Sequence, residues 1–109
     1  MQRYGSVIGL NAEAIAEYKR IHADVWPDVL AQIARSNIRN YSIFLKEPEN
    51  LLFSYFEYHG TDYAADMAAM AADRRTQEWW DVCMPMQVPL ETRKDGEWWA
   101  SMPEVFHVD

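Results

Sequence analysis

The chain has 109 residues, 50% of them hydrophobic and 14% aromatic, with 17 acids against 10 bases and a formal charge of -7. That length predicts one domain over residues 1–109 with a real core, burying about two thirds of the surface its unfolded chain exposes. The acidic balance opposes phosphate-rich partners, because neutralising phosphates takes clustered Lys and Arg, so nucleic acid and anionic membranes are excluded as partners.

Residues 2–10 place Tyr4, Ile8 and Leu10 at even positions with Val7 opposite, the period of a strand. No apolar run there reaches signal length, and no later window approaches a membrane span, so a cytoplasmic protein is expected. Asn11 offers an N-cap to AEAIAEYKRIH. Along this helix Ile15, Tyr18, His22, Val25 or Trp26, Val29 and Ile33 recur at three- and four-residue steps, one apolar stripe that turns Tyr18 and His22 inward. Pro27 lacks an N–H and crowds the preceding turn, so the helix breaks near Trp26 and resumes through Asp28 to Arg35.

Residues 37–46 and 51–58, rich in β-branched and aromatic side chains, flank KEPEN and form a hairpin. Thr61 caps a second helix through DYAADMAAMAAD, and Thr76 or Asp73 starts a short third one carrying Trp79 and Trp80. Met84 to Asp95, with Pro85 and Pro89, reads as a loop, and Glu104 to Val108 as a last strand. The order β, α, β, β, α, β is the ferredoxin-like split βαβ sandwich, an α+β class in which helices cover one side of an antiparallel sheet. Strand 51–58 is apolar on both faces: Leu51, Phe53 and Tyr55 on one, Leu52, Phe56 and Tyr58 on the other. The face without helices needs a second sheet, most simply from an identical chain, so a dimeric α+β barrel and a homodimer are expected.

Side chains at i and i+4 on a helix are about 6 Å apart, so Tyr18 and His22 can address one small ligand, with Trp26 below them and Tyr41 on a neighbouring strand. An imidazole that titrates near neutrality, phenolic hydroxyls and flat aromatic faces together suit a neutral sugar ring on which protons are moved. The competing account is packing, with His22 tied to a backbone carbonyl. Trp79 and Trp80 point about 100° apart on a helix and cannot both bury in one core, so one can face a cavity. Trp98 and Trp99, beside Gly96, are assigned to covering a dimer edge. His59 and His107 read as surface or strand histidines; no HxxxH or HxH pattern is present and no metal is expected. No phosphate loop or nucleophile elbow appears, so no cofactor is expected. Cys83 is the only cysteine and reads as a buried free thiol.

With these residues placed, the chain resembles the L-rhamnose mutarotase family, small dimeric α+β proteins that interconvert sugar anomers. The match is carried by EYKRIHADVWPDV (Glu17 to Val29), NYSIFL (Asn40 to Leu45), NLLFSYFE (Asn50 to Glu57), EWWDVCMP (Glu78 to Pro85) and EVFHV near the end, and spans nearly the whole chain. The resemblance implies His22 as catalytic acid, Tyr18 and Tyr41 binding sugar hydroxyls, and Trp79 and Trp80 lining the sugar pocket. L-Rhamnose is the implied substrate, with L-fucose or another deoxy-sugar as the alternative. Two readings of other classes stand beside it: a cofactor-independent monooxygenase on the same barrel, and a non-catalytic sugar-binding module in which His22 only packs.

Overall fold

The computed structural model describes all 109 residues. Five strands form one antiparallel sheet: β1 (Gln2–Leu10), β2 (Ile38–Lys46), β3 (Leu51–Tyr58), β4 (Gln87–Val88) and β5 (Ala100–Met102). The strand order is β2-β3-β1-β4, with β5 also paired to β1. This is the split βαβ arrangement expected from the sequence. Four helices complete it: α1 (Ile15–His22), α2 (Pro27–Arg35), α3 (Tyr63–Ala72) and α4 (Arg74–Cys83).

The apolar stripe bends where proline dictates. The residue before a proline is pushed into extended backbone, and Trp26 sits at φ -55°, ψ 132°, capping α2 with Pro27 in its first turn. α1 therefore ends at His22, and a single helical turn of Ala12–Ala14, capped by Asn11, precedes it. Asp73 accepts from the Thr76 N–H and begins α4. The α3 cap is Asp62, whose carboxylate accepts from the Ala65 N–H, rather than the expected Thr61.

Register decides which side chains share a face. Ile8 pairs with Leu52 and Leu52 with Leu45, and this row faces the helices, where Ile8, Leu10, Tyr18, Val29, Leu52, Trp79 and Cys83 make the core. The next row, Phe44–Phe53–Val7–Ala100, faces away from the helices, and Phe44 is 64% exposed there. In β2 the pairing jumps from Arg39–Glu57 to Ser42–Tyr55, so Asn40 and Tyr41 together oppose one partner residue. Such a bulge re-aims the side chains it carries; Asn40 absorbs it at φ 51°, a left-handed backbone that asparagine tolerates.

The C-terminal quarter departs from expectation. The stretch after Met84 contains β4, which pairs Val88 with Gly9 and Gln87 with Leu10. A side chain at Gly9 would meet the Val88 carbonyl oxygen at 2.7 Å, so β1 needs glycine for β4 to approach. The last strand is β5, residues 100–102, not 104–108: Gly5 to Val7 is the part of the β1 edge left beside β4, and Pro103, lacking an N–H, follows the pairing. Val105 (94%), Phe106 and Val108 are exposed instead. Trp98 and Trp99, expected to cover a dimer edge, are half-buried and pack against the core of their own chain.

Candidate active site

His22 is the last residue of α1, and its ring folds back so that Nδ1–H donates to the Tyr18 carbonyl at 2.8 Å. With the proton held at Nδ1, the neutral ring keeps a lone pair at Nε2. The imidazole stacks on the Tyr18 phenol (centroids 4.0 Å, 21°) and meets the edge of Trp79 at 5.2 Å. Behind it Trp26 packs edge-on against Trp79 at 5.1 Å, and the Arg75 guanidinium lies 4.0 Å above the Trp26 ring. The histidine is thus held on three sides by aromatic contacts and one backbone hydrogen bond.

Its fourth side opens on a hollow of about 130 Å³ between α1 and the sheet, lined by Leu10, Tyr18, Lys19, His22, Ile43, Leu45 and Leu52. Pockets for drug-sized ligands run to roughly 300–1,000 Å³, so this one suits a small molecule. A larger hollow of about 490 Å³ lies on the opposite face between β1, β3 and the C-terminal segment; it holds His107 but neither Tyr18 nor His22.

Burial sets the charge states. Desolvation holds His22 below the ordinary imidazole value, opposed by its hydrogen bond to the Tyr18 carbonyl, so the ring is neutral at pH 7. Burial likewise pushes the Tyr18 phenol well above its usual value, against the Gln87 hydrogen bond, which acts the other way. Tyr41 is 43% exposed as a residue, yet its hydroxyl end is enclosed: burial, then Cys83 and Tyr63, push it up to about 12. Burial raises the Cys83 thiol to about 11. Every one of these groups is uncharged at neutral pH, as an uncharged ligand requires.

Tyr18, His22 and Trp79 are therefore brought together, whereas Tyr41 packs against Phe56 (centroids 5.5 Å) and does not line the hollow. Trp79 is buried behind His22 rather than lining the hollow, and Trp80 is 36% exposed, with no ring contact to the cluster. No three His, Cys, Asp or Glu side chains converge as a metal site. Lys19 at the rim and Gln87 against Tyr18 were not anticipated. The i,i+3 spacing of Lys19 and His22 on α1 is the signal that finds Lys19, whereas nothing in the stretch around Pro85 and Pro89 distinguishes Gln87.

The chain is thus an antiparallel α+β sheet backed by four helices, with one imidazole and one phenol at a small, mostly apolar hollow and Lys19 at its rim. The L-rhamnose mutarotase family model matches residues 3–108. The chain is 30% identical to the L-rhamnose mutarotase of Oceanobacillus iheyensis and 30% identical to that of Bacillus subtilis, in each case over 110 residues and 100% of both chains. It is 36% identical over 80 residues to the L-rhamnose mutarotase of Mannheimia succiniciproducens, covering 73% of this chain and 74% of that one. In fold it is similar to the crystal structure of an L-rhamnose mutarotase from Formosa agariphila, with a TM-score of 0.76 at 22% identity over all of both chains. The chain belongs to the L-rhamnose mutarotase family.

Proposed function

We propose that the hollow beside His22 is where this isomerase interconverts the α and β anomers of L-rhamnose, with His22 as the proton-transfer group. The observation that carries the reading is the His22 ring itself: its Nδ1 proton is given to the Tyr18 carbonyl, leaving Nε2 free at a hollow whose other walls are mostly apolar. A neutral imidazole first accepts. It takes the proton of the anomeric hydroxyl, the C1–ring-oxygen bond breaks, C1 becomes a carbonyl, and the imidazolium hands that same proton to the departing ring oxygen, which leaves His22 neutral again. After rotation about the C1–C2 bond the steps run backwards on the other carbonyl face, and the imidazolium is then the acid that returns the proton. Tyr18 is the hydroxyl at the wall of the hollow that binds the sugar and Trp79 braces His22 from behind, whereas Tyr41 and Trp80, which do not line the hollow, are assigned to sugar binding on the family resemblance alone. One positioned proton-transfer group supplies on the order of 10² to 10⁴ in rate, enough for a reaction that already proceeds in water.

The enzyme works, in this reading, as a homodimer, because the row Phe44–Phe53–Val7–Ala100 is apolar and no helix of its own chain covers it. We assign it to the cytoplasm: its one cysteine, Cys83, is free and buried, and no helix is long and apolar enough to cross a membrane. Saturation-transfer NMR of L-rhamnose and L-fucose with the purified protein tests the function. Accelerated exchange of L-rhamnose supports it, faster exchange of L-fucose reassigns the sugar, and no acceleration of any deoxy-hexose overturns it.

A further inference from the structure

Gln87 links the hollow to the C-terminal loop. Its Oε1 accepts from the Trp98 indole N–H at 2.8 Å, and its Nε2 donates to the Tyr18 hydroxyl at 3.1 Å. The amide's orientation follows from chemistry: an indole nitrogen can only donate, so the carbonyl oxygen faces Trp98 and the NH2 group faces Tyr18. The Tyr18 oxygen is thereby an acceptor toward Gln87, and the hydroxyl proton is left for something else. It donates to no atom of the protein.

From this geometry we infer that Gln87, anchored by Trp98, is a positioning residue that keeps the Tyr18 hydroxyl a hydrogen-bond donor to a substrate oxygen in the hollow. The inference rests on the proposal above that the sugar binds against Tyr18 and His22. It gives the site two opposite and fixed polarities on adjacent turns of α1: a phenol that offers a proton and an imidazole Nε2 that offers a lone pair. Ring opening needs that pairing, since a pyranose ring oxygen carries no proton and can only accept, whereas the anomeric hydroxyl has one to give. The elevated phenol pKa keeps Tyr18 protonated across the physiological range.

Reversing the polarity at position 87 tests this. In Gln87→Glu the ionised carboxylate can only accept, from Trp98 and from the Tyr18 O–H, so the phenol proton turns away from the sugar. Anomer exchange by NMR is expected to show kcat lowered on the order of tenfold to a hundredfold at pH 8, with KM less affected. The ratio of variant to wild-type kcat rises as pH falls, because the protonated carboxyl donates to Tyr18 as the amide does. Gln87→Met, which removes both bonds without reversing either, gives a smaller loss and a pH-independent ratio. Wild-type kcat in Gln87→Glu at pH 8, or equal losses in both variants with no pH dependence, would overturn the positioning role. If Gln87→Glu does not fold by circular dichroism, Trp98→Phe replaces it: freeing the amide to flip lowers kcat with KM near wild type, and an unchanged kcat overturns the proposal. A wild-type protein that accelerates no exchange sinks the mutarotase reading and this one with it, whereas normal wild-type exchange with an unresponsive position 87 sinks this one alone.

Discussion

Replacing His22 by Ala separates catalysis from packing, because the ring contributes to both in calculable amounts. If the imidazole transfers the anomeric proton, its loss lowers kcat by about 10² to 10⁴, or roughly 2.7–5.4 kcal/mol of barrier. Its structural contribution is smaller: one hydrogen bond to the Tyr18 carbonyl, about 0.5–1.5 kcal/mol, and ring contacts with Tyr18 and Trp79 of similar size. A net cost of about 1–3 kcal/mol corresponds to a Tm lower by roughly 5–15 °C, which leaves the protein folded at assay temperature. His22→Gln sharpens the experiment, because an amide still donates a hydrogen bond but cannot shuttle a proton. Saturation transfer between the anomeric protons of L-rhamnose reads the rate, and circular dichroism reads the fold. Both variants should stay folded and lose exchange to the same degree. If either keeps exchange within about threefold of wild type, His22 is a packing residue and the proton-transfer reasoning fails.

Four further outcomes follow from the same geometry. Because neutral His22 is the active form and its pKa lies below 6.5, kcat/KM is flat above about pH 6.5 and falls with acid by about tenfold per pH unit below the folded-state value; a rate that rises on acidification would contradict the assignment. The same depressed pKa means the unfolded chain binds the proton more readily, so this residue's contribution to stability is present above the unfolded value and shrinks as pH falls toward the folded one. Phe44→Glu puts a charge at the exposed β2 end of the apolar row, at a residue already 64% exposed, so it spares the fold but should convert a dimer to a 12.8 kDa species in analytical ultracentrifugation; an unchanged dimer would move the interface elsewhere. Cys83, 4% exposed with its thiol raised to about 11, should react with iodoacetamide at pH 8 at least roughly a hundredfold more slowly than a free cysteine until the protein is unfolded; rapid native alkylation would mean the core around it opens.

What the sequence reveals here and what it hides divide along one physical line, the distance in the chain over which a feature is determined. β1, the hairpin and the kinked α1–α2 pair follow from two- and three-to-four-residue periods and from Pro27, all local, and the fold class follows with them. Tyr18 and His22 were visible because four residues of helix suffice to stack one ring on the other. β4 and β5 were not: strands of two and three residues carry no readable period, and they exist because β1 has a free edge and a glycine at position 9 where β4 crosses. The same limit governs the site. Trp79 and Trp80 differ in role only because tertiary packing turns one into the core behind His22 and leaves the other outside. Gln87 reaches Tyr18 across 69 residues and Trp98 across 11, so its amide acquires meaning only once β4 has docked. The irregular C-terminal segment, the part least determined by local pattern, is therefore the part that sets the polarity of a phenol on the most legible helix. Changes between Met84 and Trp98 can accordingly alter activity at Tyr18 while leaving α1 intact.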